Sequence, residues 1–156
     1  MELTRYKCFS GNVQMPWGKG TVVKGAKGFV FLGGVTAWVD GYNPRSPDYL
    51  KSKTVVEGPV EQTKKVLEKM KSDLEEMGTS LENIIKLTYY IKGPFPDGVN
   101  RSPNWRPDVI DKFFREYCPS LCSDNYPPPS ELIGVVGLAH PDMVIEIVCI
   151  AALPDE

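Results

Sequence analysis

Apolar positions change their spacing several times along this chain, and each change marks an element. From Pro59 to Met77 they recur at helical spacing, with Val60, Leu67, Met70, Leu74 and Met77 on one stripe. Proline suits the first turn of such a helix, and Gly78 supplies a left-handed cap at its end. A second helix is predicted over Pro107 to Tyr117, where Val109, Ile110, Phe113, Phe114 and Tyr117 share a face and Pro119 stops the run. Ile84 to Lys92 (IIKLTYYIK) is β-branched and aromatic, which marks a strand. Gly28 to Asp40 is a further strand interrupted by Gly33-Gly34, and glycine inside a strand signals a bulge or a close backbone approach. Thr21 to Lys24 is placed before it as a hairpin arm. Leu132 to Leu138 and Val144 to Leu153 are read as a hairpin around Ala139-His140-Pro141-Asp142. The order ββ-α-β-α-ββ describes an α+β domain with two helices on one face of a sheet.

The last strand breaks the pattern. A strand with one wet face alternates apolar and polar residues, yet Val144 to Leu153 is apolar everywhere except Glu146. Both faces therefore need cover. With the helices on one side, a second subunit is the economical cover for the other, so a homo-oligomer is expected. A carboxylate in such a strand is costly unless it is paired, protonated or employed.

Composition narrows the function classes. The 156 residues suit a single domain, 1–156, with a proper core, and 42% hydrophobic against 24% charged residues excludes a disordered chain. A net charge of −2 offers no electrostatic footprint for nucleic acid or an anionic membrane. The longest apolar run, about ten residues, is too short to span a bilayer. Met1 to Lys7 lacks the apolar core of a signal peptide, so a cytoplasmic protein is expected. Four cysteines and one histidine lack the spacing of a zinc site, so neither metal nor cofactor is expected and the thiols are read as reduced.

Candidate chemistry centres on Glu146. It is either half of a buried ion pair, with Lys86 as the nearest basic candidate, or a carboxyl group whose burial raises its pKa into a useful range. The Gly33-Gly34 amides, free of side-chain crowding, can bind an oxyanion; a simple bulge is the plainer alternative. His140 falls in a turn and is expected to be solvated. The proline-punctuated segment Gly93 to Arg106 has the length of a binding loop; Arg101 and Arg106 in it are candidates to clamp an anionic substrate and Trp105 to close over it, with a solvated loop as the plainer alternative.

Several of these segments occur together in a known family. Glu61-Gln62-Thr63 through Val66-Leu67, the run Leu74 to Lys92 (LEEMGTSLENIIKLTYYIK), and Gly134 to Leu138 followed by Val144-Ile145-Glu146-Ile147 and Ala151 resemble the RidA/YjgF family. With Phe29 to Gly34 the resemblance spans nearly the whole chain. It implies a chorismate-mutase-like fold assembled as a homotrimer, with sites in clefts between subunits. It also implies hydrolysis of enamines or imines such as 2-aminoacrylate to a ketoacid and ammonia. In that scheme Glu146 takes the place of the strand glutamate that orients water, and Gly34 that of the glycine in a Ser-Gly pair that helps bind substrate.

The departures are equally specific. Gly33 stands where the family has serine. The stretch that carries the family's carboxylate-binding arginine reads Pro127-Pro128-Pro129-Ser130-Glu131, which puts Ser130, or Pro129 with a one-residue shift, at the arginine position. Trp17 and Gly18 lie near the expected place of an N-terminal tyrosine, and the long loop is an insertion. Losing a bidentate partner weakens binding of an anionic substrate. The expectation is thus a small-molecule deaminase or hydrolase working in inter-subunit clefts. Glu146 would be catalytic there, and Gly33, Gly34, Trp17, Ser130, Glu131, Arg101, Trp105 and Arg106 would be around the substrate. The alternatives are a catalytically silent ligand-binding trimer of the same fold and, more weakly, an endoribonuclease.

Overall fold

The computed structural model describes residues 1–48, 50, 53–93 and 106–155, side chains at 106 and 107 excepted. It opens with a hairpin of β1 (Glu2–Ser10) and β2 (Val13–Lys24), paired from Glu2↔Lys24 to Ser10↔Val13. These two strands form their own sheet. Thr21 to Lys24 therefore pairs with the N-terminus, not with the strand that follows it. The main sheet holds β3 (Gly28–Phe31), β4 (Val35–Thr36), β5 (Ile84–Lys92), β6 (Ser130–Val135) and β7 (Ile145–Leu153). β3 and β4 both lie antiparallel along one edge of β7, β5 lies along its other edge, and β6 joins β5 in parallel.

That order corrects the expected C-terminal hairpin. β6 and β7 are consecutive but not adjacent, because β5 runs between them. Parallel pairing of β5 and β6 requires a crossover, and the second helical segment precedes β6 on that route. It begins as a π turn (Arg106–Asp111) and tightens into α2 (Lys112–Tyr117).

Helix α1 (Pro59–Glu76) ends as its sequence dictates. Gly78 takes φ 81°, Thr79 N–H donates to Leu74 O at 3.0 Å and Gly78 N–H to Glu75 O at 3.1 Å, the left-handed cap that satisfies terminal carbonyls. Its buried stripe is Gln62, Thr63, Val66, Leu67, Met70 and Leu74, whereas Val60 and Met77, expected in the core, are exposed at the two ends. Gln62 goes inside because both ends of its amide are used: Nε2 donates to Asp142 O at 2.7 Å and Oε1 accepts from Val144 N–H at 2.9 Å. Tyr117 likewise turns outward while Val109, Ile110, Phe113 and Phe114 are buried.

These helices cover one face of the sheet. Ile145, Ile147, Cys149 and Ala151 of β7 are fully buried there with Leu87, Tyr89 and Ile91 of β5. Each large side chain so buried contributes about 1.5–3 kcal/mol. The opposite face carries Phe29, Phe31, Tyr90, Ile133, Glu146, Val148 and Ile150, and the described chain leaves it partly open: Phe31 is 75% exposed and Phe29 51%. The hairpin bonds to the start of β5, where Thr21 Oγ1 donates to Ile85 O at 3.0 Å and Arg5 to the carbonyls of Ile84 and, just before the strand, Glu82.

Candidate functional site

β7 places Glu146 in the middle of the sheet, opposite Thr36 on β4 and Tyr90 on β5. Among the described residues its carboxylate makes no hydrogen bond or ion pair, and burial pushes its pKa up. The reason it fits at all is Gly34. A Cβ built on Gly34 would fall on Glu146 Oε1 and stand 2.7 Å from Cδ, so the missing side chain is the space the carboxylate occupies. At Gly33 a Cβ would meet nothing within 4 Å, so the two glycines are not equivalent. The ladder breaks between them: Leu32 N–H donates to Cys149 O at 2.9 Å, and pairing resumes at Val35↔Ile147.

Lys86 does not serve Glu146. Its ammonium lies 2.6 Å from Glu131 Oε1, and Thr88 Oγ1 donates to Glu131 Oε2 at 3.0 Å. Lys86, Thr88 and Glu131 thus form a separate polar group on the same sheet face, and the bond from Lys86 holds the Glu131 carboxyl below its ordinary range. The ion-pair alternative for Glu146 is thereby overturned. Ser130 begins β6 opposite Leu87.

The proline stretch has a structural partner. Gly18 N–H donates to Pro128 O at 3.1 Å, and a Cβ at Gly18 would collide with the Pro127 carbonyl oxygen and come within 3.0 Å of Pro129 N. Pro127-Pro128-Pro129 therefore seats the N-terminal hairpin through a glycine-only contact, next to the half-exposed Trp17. Arg101 and Trp105 lie outside the described residues. Arg106 opens the π turn, and its side chain is likewise not described.

His140 corrects another expectation. It is 1% exposed, not solvated: Nε2 lies 3.3 Å from Thr54 Oγ1, Nδ1 accepts from Asp142 N–H at 3.1 Å, and Trp38 meets the ring edge-on at 5.7 Å. The segment after β4 folds over the turn and buries it. Cys118, Cys122 and Cys149 are buried free thiols, and burial pushes Cys149 up to about 12 and Cys118 to about 11, which leaves them inert at neutral pH. No group of His, Cys, Asp and Glu among the described residues is arranged to hold a metal ion. Nor is any described helix long and apolar enough to cross a membrane.

A cleft of about 440 Å³ was not foreseen from the sequence. It lies between the C-terminal half of α1 and the β3–β4 edge, and Gly33, Gly34, Thr36, Trp38, Lys69 and Asp73 are among its lining residues. Trp38 stacks on Tyr42 with ring centroids 4.2 Å apart, and Lys69 Nζ donates to Thr36 O at 3.2 Å. The only sequence signal was a tryptophan just after the double glycine; Lys69 resembles any solvated helix lysine.

Known proteins place this arrangement. A family model described as endoribonuclease L-PSP matches residues 20–153. The chain belongs to this family, the RidA/YjgF proteins. A comparison with curated protein sequences finds no match. Among solved structures, the Rid-family protein YyfB of Yersinia pestis, of unknown function, is similar at 20% identity over 88% of this chain and 87% of that one, with a TM-score of 0.62. The YjgF gene product of E. coli matches at 22% identity over 80% of each chain, TM-score 0.56. E. coli TdcF, solved with bound serine, matches at 23% identity over 84% of each chain, TM-score 0.56. At these identities the likeness establishes the RidA/YjgF fold and no more.

Proposed function

We propose that this RidA/YjgF protein is a small-molecule enzyme of the deaminase or hydrolase type, acting on an enamine, an imine or a related conjugated substrate as a cytoplasmic homotrimer. The observation that carries the proposal is the half-buried Glu146 carboxylate, unpaired among the described residues and set into the space left by Gly34. A carboxylate kept from ionic partners, with its pKa raised by burial, is a better base near neutral pH than a solvated one. Tautomerisation first converts an enamine to its imine. A water held by Glu146 then adds to the imine carbon while the C=N π electrons move to nitrogen and a water proton passes to the carboxylate. The carboxyl group next returns that proton to nitrogen, giving a neutral carbinolamine; the carboxylate then takes the hydroxyl proton and passes it to the amino group as the C–N bond breaks, and ketone and ammonia leave.

The open sheet face supports the trimer, since Phe29, Phe31 and Ile133 are large apolar groups on the side of the sheet away from the helices. Ammonia release from freshly generated 2-aminoacrylate and related imines tests the chemistry. Glu146→Gln is expected to lower turnover by about 10²-fold or more, the usual worth of a general base. No turnover by the wild type removes imine chemistry, and equal turnover by the two proteins removes Glu146 from it.

A second proposal is a catalytically silent ligand-binding trimer, favoured by Pro127-Pro128-Pro129-Ser130 where the family's carboxylate-binding arginine belongs. An endoribonuclease, the activity named in the family's description, has the least support: the chain is acidic, with 20 Asp and Glu against 18 Lys and Arg.

A further inference from the structure

We infer that Tyr90 is a ligand contact of the Glu146 site, its phenol donating a hydrogen bond to the nitrogen or carbonyl oxygen of an uncharged, planar substrate. The inference deepens the proposed function and rests on it for the reaction. Tyr90 lies directly opposite Glu146 in the β5–β7 register, so the two side chains stand on the same face of the sheet, the one away from the helices. Its neighbour Tyr89 points the other way and is buried in the core, whereas Tyr90 is half-buried. Among the described residues the Tyr90 hydroxyl has no hydrogen-bond partner, and neither has the Glu146 carboxylate. Phenylalanine would pack there as well. A tyrosine at a partly dry position usually finds an acceptor for its hydroxyl, and the described chain supplies none.

The two groups bracket a strip of β7. The Glu146 carboxylate leans towards β4, into the space left by Gly34, and Tyr90 rises from β5 on the other side. β4 and β5 are two strand spacings apart, about 10 Å, which is room for one ring or one short conjugated system. Val148, two residues along from Glu146, gives the strip an apolar floor, and Ile133 stands beside Tyr90 on β6. Charge decides the class of ligand. The lysines on the same face of β5 are both engaged, Lys86 with Glu131 at 2.6 Å and Lys92 with the Pro141 carbonyl oxygen. Among the described residues the charge left beside the strip is that of Glu146, which repels a ligand carboxylate. A phenol is a neutral donor and suits a neutral acceptor, C=N or C=O. During water addition the π electrons move to the imine nitrogen, so a hydrogen bond from Tyr90 strengthens as charge develops there. The phenol keeps its proton throughout.

Binding tests the contact separately from the reaction. Benzamide and benzoate are titrated into wild-type protein carrying ring-labelled tyrosine, with affinities from calorimetry. Benzamide is expected to bind saturably and at least about tenfold more tightly than benzoate. It should shift the one tyrosine resonance that is absent from Tyr90→Phe. That variant keeps the ring, so its melting temperature and sedimentation should match wild type. Its benzamide affinity should fall by about fivefold, the usual worth of one neutral hydrogen bond. Glu146→Gln should narrow the gap between the two ligands by relieving the repulsion of benzoate. No saturable benzamide binding, benzoate bound as tightly as benzamide, a gap unchanged in Glu146→Gln, or an unchanged affinity in Tyr90→Phe would overturn the assignment. So would a Tyr90→Phe protein that sediments differently, since the hydroxyl would then belong to a subunit contact. Benzamide affinity lost in Tyr90→Phe, without imine turnover by the wild type, would leave the contact standing and remove the proposed reaction. Imine turnover with benzamide affinity unchanged in Tyr90→Phe would do the reverse.

Discussion

The two faces of β7 are built from nearly the same residues and reach different ends. Ile145, Ile147, Cys149 and Ala151 point toward the helices and are fully buried, while Glu146, Val148 and Ile150 point the other way and are only partly covered. One face is sealed by the helices, and the other is left partly open by the described residues. The chemistry proposed for Glu146 would lie on the more open side, where a carboxylate is partly buried yet reachable. A residue on the helix side, even the thiol of Cys149, is sealed off and serves as packing.

Removing side chains from each face breaks the comparison most directly. Ile147→Ala opens a cavity in a fully buried position and should cost about 2–5 kcal/mol in denaturant unfolding. Val148→Ala removes a partly exposed group and should cost far less at low protein concentration, with the difference shrinking as concentration rises if a partner covers it. Equal, concentration-independent costs would mean that the two faces are not different.

Charge on the open face gives the next largest effect. Phe31→Glu places a carboxylate at a position 75% exposed in the single chain, so the fold should tolerate it to within about 0.5 kcal/mol. Assembly should not: sedimentation is expected to show the wild type as a trimer and the variant as smaller species. A variant that sediments with the wild type would show that this face is not the one that associates.

How much of this could be read in the sequence depended on whether the cause was local. α1 and β5 were legible because helical spacing, Gly78 and a β-branched run act within a few residues, and β5 matches its predicted bounds, Ile84–Lys92. The β6–β7 pairing was not, since adjacency in sequence suggested a hairpin while the crossover before β6 put β5 between them. His140 was misjudged for a related reason: a turn is solvated only if no other segment covers it, and Thr54 and Trp38 come from far away in sequence. Glu146 and the double glycine each stood out alone, yet that one occupies the other's missing side chain is a fact of register. Lys69 and the cleft had no local signature.

The smallest effects compare two acids on the same open face. Burial raises the pKa of Glu146, so its ionisation opposes folding. Its protonated form is at no disadvantage at low pH, and stability is lost as pH rises through the folded-state value. Glu146→Gln should therefore unfold above wild type at neutral pH, each kcal/mol of difference appearing as about 2–4 °C for a chain of this size. That gap should close on acidification, and a gap that widens instead would show the carboxylate to be stabilised by a partner.

Glu131 has the opposite sign. Lys86 and Thr88 hold its pKa down, so its contribution is present at neutral pH and is lost as pH falls through that lowered value. Lys86 and Glu131 are 42% and 48% exposed, and solvent screens the pair, so Glu131→Gln should cost no more than about 1 kcal/mol at pH 7. Thermal melts of both variants from acid to neutral pH should thus move in opposite directions relative to wild type. If Glu131→Gln instead raised the melting temperature at neutral pH, the Lys86 contact would not hold in solution. Lys86 would then be free to reach Glu146, and the distinction between a paired and an unpaired acid on this face would fail.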